Sequence, residues 1–242
     1  MKILILTFAS IASAQVMQQA IVTTKAPSGT TPITLISSTK CQAGVDAGNG
    51  AGKSANWNTT GASLYVGCST SNGGGNPGPV DTQSNSYSNA INSSADSLGN
   101  HASIWYAASP TTNAAVQVTC DPGPFQSLYM FAFANTKTSS PLDQTNSNTT
   151  GSATSITTGS ITPTTDGQVV FACLTQNDNS GGVTFSINAS FNTPVQSPNN
   201  GTTADGGAGS YKVQTTAAAV NPTWSWSVAA VAAAAIASFK AP

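Results

Sequence analysis

Reactive side chains are scarce in this sequence. His101 is the only histidine, and arginine and glutamate are absent. The acids are Asp46, Asp81, Asp96, Asp121, Asp143, Asp166, Asp178 and Asp205. The cations are Lys2, Lys25, Lys40, Lys53, Lys137, Lys212 and Lys240. Acid–base hydrolysis needs a positioned carboxylate pair or an imidazole. Most of the aspartates stand in turn contexts such as Thr165-Asp166-Gly167 and Ala204-Asp205-Gly206. There the carboxylate is suited to bonding nearby backbone N–H groups. A Ser-His-Asp relay would have to recruit His101, which follows Gly99-Asn100 in a turn, and no G-x-S-x-G elbow is present. These features point away from an enzyme, and no catalytic residue is assigned.

Binding chemistry has a few more candidates. Asp178-Asn179-Ser180-Gly181 and Asp46-Ala47-Gly48-Asn49 place oxygen ligands on loops, as Ca2+ requires. Asp178, Asn179 and Asp46 are therefore the candidate Ca2+ ligands, although no D-x-D-x-D-G loop occurs. No other cofactor is expected. Sugar recognition would use aromatic platforms beside amide side chains. Trp57, flanked by Asn56 and Asn58, and Tyr87, among Ser and Asn, are the candidate carbohydrate contacts. Trp105, Tyr106, Trp224 and Trp226 fall within alternating segments, so packing is their expected role. Sequons at Asn58, Asn92, Asn148, Asn188 and Asn200 are no more than this Asn-, Ser- and Thr-rich composition produces by chance.

Cys41, Cys68, Cys120 and Cys173 are widely spaced and form no C-x-x-C, which argues against zinc. Their parity is informative. Leu64, Val66 and Cys68 alternate, as do Val116, Val118 and Cys120, and Val169, Phe171 and Cys173. Three cysteines thus fall in line with core-facing residues. Two readings stay open: buried thiols acting as small hydrophobes, or two disulfides in an oxidising compartment. Spacing does not choose among the three pairings.

The elements that must position these groups are strands. Period-2 segments bounded by Gly, Pro, Asn and Ser predict strands at 17–24, 32–38, 62–69, 102–107, 114–120, 126–134, 153–161, 168–176, 183–191, 209–216, 222–227 and 229–239. Turn-rich tracts at 44–54, 71–80, 177–182 and 197–209 read as loops. The alanine run from Val228 to Phe239 favours helix by propensity. The Trp-Ser-Trp-Ser alternation before it favours a final buried strand, which is the expectation adopted here. That run is too short to span a bilayer, which takes about 20 apolar residues.

Composition fits the same picture. Only 6% of residues are charged, against about 25% in an average domain. Disorder goes with high net charge and few β-branched residues, whereas this net charge is −1 and Thr, Val and Ile are plentiful. Seven scattered lysines without arginine make no phosphate-tracking stripe, so nucleic acid is not an expected partner. Lys2, the apolar run Ile3–Ile11 and Ala12-Ser13-Ala14 have the order of a secretory signal. Residues 1–14 are read either as that signal or as a first strand, and 15–242 as a single domain. The expected fold is an all-β antiparallel sandwich of about 10–12 strands, of jelly-roll or related Greek-key type.

Asp96-Ser97-Leu98-Gly99-Asn100, Gly159-Ser160-Ile161-Thr162-Pro163-Thr164-Thr165-Asp166-Gly167, Asn221-Pro222-Thr223-Trp224-Ser225-Trp226 and Ala234-Ala235-Ile236-Ala237-Ser238-Phe239-Lys240 carry a resemblance. Over about residues 60–240 the chain resembles a loosely defined family of uncharacterised bacterial and phage-associated extracellular β-sandwich proteins. The shared motifs are structural punctuation. The resemblance implies a sandwich on an outer surface and no activity. The expected role is a structural or decorating module of a virion or cell surface, in contact with its own copies or other surface proteins. A secreted carbohydrate-binding adhesin, with glycans as partners, is the alternative. An exposed strand edge poor in charge would provide the contacts in the first case, because it lacks the lysines that usually deter pairing.

Overall fold

The computed structural model describes residues 31–42, 52–72, 78–120, 126–177, 183–198 and 206–242. The candidate ligands Asp46, Asp178 and Asn179, the segment 1–14 and the expected strand 17–24 lie outside the described residues.

The first sheet draws on β1 (Thr34–Gln42), β2 (Leu64–Asn72), β4 (Ser88–Asn92), β5 (Asn100–Ala108) and β7 (Ser127–Ala134). They lie side by side in the order β1-β7-β2-β5-β4. Two short strands, β3 (Val80–Asp81) and β6 (Val118–Thr119), pair with each other. The second sheet draws on β8 (Leu142–Thr157), β9 (Gln168–Asn177), β10 (Ser186–Ile187), β11 (Val195–Ser197), β12 (Gly206–Gln214) and β13 (Thr223–Phe239). Its order is β10-β13-β9-β12-β11, with β8 on the other side of β13. Every pairing is antiparallel. The fold is an all-β antiparallel sandwich, and no helix occurs among the described residues. The chain completes the first sheet before it starts the second.

The inner faces meet in one core. Leu64, Val66 and Cys68 of β2, and Tyr129, Phe131 and Phe133 of β7, pack against Val169, Phe171 and Cys173 of β9 and Ala233, Ala235, Ala237 and Phe239 of β13. The outer faces are also covered. On the first sheet, Tyr65, Leu128, Met130 and Ala132 pack under Trp57, Val116 and Val118. On the second, Ala172, Leu174, Ala232 and Ala234 pack with Val183, Phe185, Trp224 and Trp226. A strand covered on both faces has no wet side. Accordingly β7 is buried along all but its last residue, and so is β9.

These covers explain two departures from the predicted strands. Residues 114–120 and 183–191 alternate because one side of each packs on a sheet. Only Val118–Thr119 and Ser186–Ile187 within them are strands. The alternation reported burial, not ladder pairing. Two further departures concern weak strand formers. Residues 206–208, predicted as loop ahead of the expected strand 209–216, begin β12. A Cβ on Gly209 would stand 2.9 Å from Phe131 Cε2 and 3.2 Å from Phe171 Cζ. Rings fill the space a side chain would take, so glycine here is a packing requirement. Residues 142–152, a polar run with no alternation, form most of β8 by pairing with β13. The C-terminal expectation is met. Residues 222–227 and 229–239 join as one strand, with an irregularity between Ser225 and Ala230 where it leaves β10 and takes up β9.

The sulfurs are joined in two pairs, Cys41 with Cys120 and Cys68 with Cys173. The second bridges the sheets, from β2 to β9, at a Cα–Cα distance of 5.1 Å. Sheets in a sandwich ordinarily lie about 10 Å apart, so the bridge holds a local close approach. The first ties edge strand β1 to the cover over the outer face. Replacing Cys68 and Cys173 together by alanine should cost about 2–5 kcal/mol. Chemical denaturation of the double variant against the parent checks this. An unchanged midpoint would show that the core holds the sheets without the bridge.

Candidate functional site

The described carboxylates organise turns. Asp81 accepts hydrogen bonds from the Gln83 N–H at 2.9 Å, the Asn85 amide Nδ2 at 2.9 Å and the Tyr87 hydroxyl at 2.6 Å. Asp96 accepts from the backbone N–H groups of Leu98 and Asn100 and from the Asn100 side chain. Asp166 accepts from the Ala217 N–H. Asp143 accepts from the Thr164 N–H, the Thr164 hydroxyl and Gln168 Nε2, each at 2.8 Å, and lies 3.7 Å from Lys240 Nζ. His101 Nδ1 is bonded to the Ser93 carbonyl at 3.0 Å.

The two sugar-platform candidates have internal duties. Trp57 was expected near the surface but is 1% exposed, and that expectation is corrected. Its backbone pairs with Val116 in both directions, and its ring lies 4.8 Å from that of Tyr65. The pattern of exposed Asn56, buried Trp57, exposed Asn58 and buried Thr59 is the period-2 signature of a cover strand, which the flanking amides obscured. Tyr87 is half-buried, packs beside the same cluster and gives its hydroxyl to Asp81. Burial, with the Asp81 carboxylate beside it, pushes its pKa far above the usual tyrosine value. Trp224 and Trp226 pack in the outer core of the second sheet. The structure does not bring Trp57 and Tyr87 into one open binding face.

The longest edge strand among the described residues is β8. This strand is 16 residues long, and Asp143 is its only charged residue. Its sole strand partner among the described residues is β13. The opposite edge of the sandwich is latched: Lys40 Nζ of β1 donates to the Gln196 carbonyl of β11, and Gln42 Nε2 to that of Pro198. β8 carries lighter protection. Asn146 Nδ2 donates to the Ser160 carbonyl, while the Asn146 and Asn148 oxygens accept from the Ser147 and Thr149 N–H groups. Beyond that capped stretch, Gly151, Ser152, Thr154 and Ser155 are exposed. Sequence periodicity could not locate this edge, because a strand stabilised by its neighbour's backbone needs no apolar stripe of its own.

Compared with protein-family models, curated proteins and solved structures, the chain matches none. Two disulfides are compatible with an oxidising compartment. No helix among the described residues is long and apolar enough to cross a membrane.

Two outcomes test these assignments. Tyr87→Phe removes a charge-assisted bond to a buried carboxylate and should destabilise the fold by about 1.5–3 kcal/mol, read by denaturant titration. Asp143 responds to pH. Burial alone would raise its pKa, but the bonds from Thr164 and Gln168 and the nearby Lys240 ammonium hold it below the usual carboxylate range. A lowered folded-state pKa adds stability above the unfolded value of about 3.9, lost as pH falls through the folded value. Melting curves across the acid range should therefore be flatter for Asp143→Asn than for the parent.

Proposed function

We propose that this chain is a structural or decorating β-sandwich on the outside of a cell or virion, acting through protein–protein contacts. The observation that carries the reading is the β8 edge, long and nearly uncharged. An edge usually carries lysine, proline or a short strand to prevent pairing. β8 has no lysine, no proline and 16 residues. Edge-to-edge addition of a strand is a recurrent mode of protein contact, with affinity supplied by main-chain hydrogen bonds. The scarcity of charge and the two disulfides support an outer location. The carbohydrate-binding alternative keeps no support from Trp57 and Tyr87, whose rings serve the fold.

Two lysines on the open stretch, Ser152→Lys with Thr154→Lys, should abolish self-association of the full chain while leaving its melting temperature within a few degrees. Sedimentation velocity over a concentration series reads this. A parent that stays monomeric throughout, or a double variant that associates equally well, would sink the β8 reading.

A further inference from the structure

A second feature lies on the other side of the same sheet. β11 pairs with β12 only from Gly207 to Gly209. Past that point the outer edge of β12 borders an open cleft of about 350 Å3. Ser190, Lys212, Gln214, Thr215, Thr216 and Ala218 are among the residues that line it. Chain 188–192 is held along the edge by four bonds: Asn192 N–H and Asn192 Nδ2 to the Tyr211 carbonyl, Ser210 hydroxyl to the Asn192 carbonyl, and Lys212 Nζ to the Ala189 carbonyl. Ala189 and Ser190 both take left-handed φ, 60° and 61°, a conformation that L residues avoid and that recurs at ligand clamps.

Two groups in the cleft lack the partners expected of them. Among the described residues Lys212 makes no ion pair, and the one present joins Lys240 to Asp143. Its ammonium has one carbonyl bond, at 3.3 Å, and stands 5.8 Å from the centre of the Phe191 ring. Partial desolvation lowers its pKa, the sign of a cation without a compensating anion. Gln214 is 8% exposed. Its Nε2 donates to the Ala218 carbonyl at 2.5 Å, and its Oε1 is buried with no hydrogen-bond partner. Buried polar groups usually have a partner; Gln214 Oε1 is one of several here without one, and its residue lines the cleft. Asp166 accepts from the Ala217 N–H and does not line the cleft.

We propose that this cleft binds a small hydroxylated carboxylate, of the size and chemistry of a uronic acid. The carboxylate meets Lys212, and the Gln214 side chain with the hydroxyls of Ser190, Thr215 and Thr216 lines the rest of the cleft. The volume lies in the range of small-molecule sites, about 300–1,000 Å3.

The test is a titration of the full chain with sodium glucuronate, followed by amide NMR, with glucose and acetate as controls. Saturable shifts confined to residues 188–192 and 210–219 are expected with glucuronate, and weaker ones with either control. Lys212→Met should reduce affinity about tenfold or more, the size of a lost charge-assisted bond. Lys212→Arg should retain most of it, and Gln214→Leu should weaken glucuronate more than acetate. Spectral dispersion shows whether each variant is folded. The proposal is overturned if glucuronate shifts these amides no more than glucose does, or if folded Lys212→Met titrates like the parent. Because the cleft and the β8 edge use different residues, self-association reports on one and glucuronate binding on the other.

Discussion

The Cys68–Cys173 contact sets the spacing that the rest of the sandwich has to satisfy. With Cα atoms 5.1 Å apart, the two sheets cannot both carry large side chains around it. The molecule divides the space unequally. β7 supplies the rings of Tyr129, Phe131 and Phe133, while β12 answers with Gly207 and Gly209 and β13 with Ala233, Ala235 and Ala237. Phe131 and Phe171 meet edge to face at 5.1 Å, and Phe133 meets Tyr211 likewise at 5.1 Å. This is the interlocking of large and small residues that native packing density demands. It also accounts for a strand rich in glycine and another rich in alanine, both poor strand formers by propensity. What they contribute is the absence of volume.

Covering both sheets on their outer faces has a second consequence. Little strand surface is left to wet, so the polar surface is carried by loops and edges and can be built from hydroxyls and amides. The charges that remain are mostly local fasteners. Asp81, Asp96, Asp143 and Asp166 each accept backbone N–H groups of a turn or loop. In this fold a carboxylate is worth more as a multiple acceptor than as a solubilising charge. Lys212 also fastens a loop, through the Ala189 carbonyl, but without an anion beside it among the described residues.

The β-rich class, the core faces of β2, β5, β7 and β9 and the strand form of the C-terminal alanine run were legible in the residues. In each, side chains alternate or run continuously apolar between turn residues, and burial follows from local pattern. The cysteine parity was legible for the same reason: Cys68 and Cys173 fall in the inner core, and Cys120 in the outer one. The position of Trp57 was misread because its neighbours are polar amides; a single ring inserted from a cover segment gives a period too short to trust. The cleft had no sequence signal, since Lys212, Gln214 and Ser190 meet only when chain 188–192 is laid along β12.

The sequence by itself determined a charge-poor all-β chain with buried cysteines, because composition and period-2 patterning act residue by residue. Tertiary structure alone decided which cysteines pair, how strands lie side by side, that 114–120 and 183–191 serve mainly as covers, and that polar residues 142–152 form a strand at the edge. Each of those depends on which distant segment supplies the facing surface or the hydrogen-bonding backbone. A strand such as β8, held by the main chain of β13, carries no trace of that partner in its own side chains.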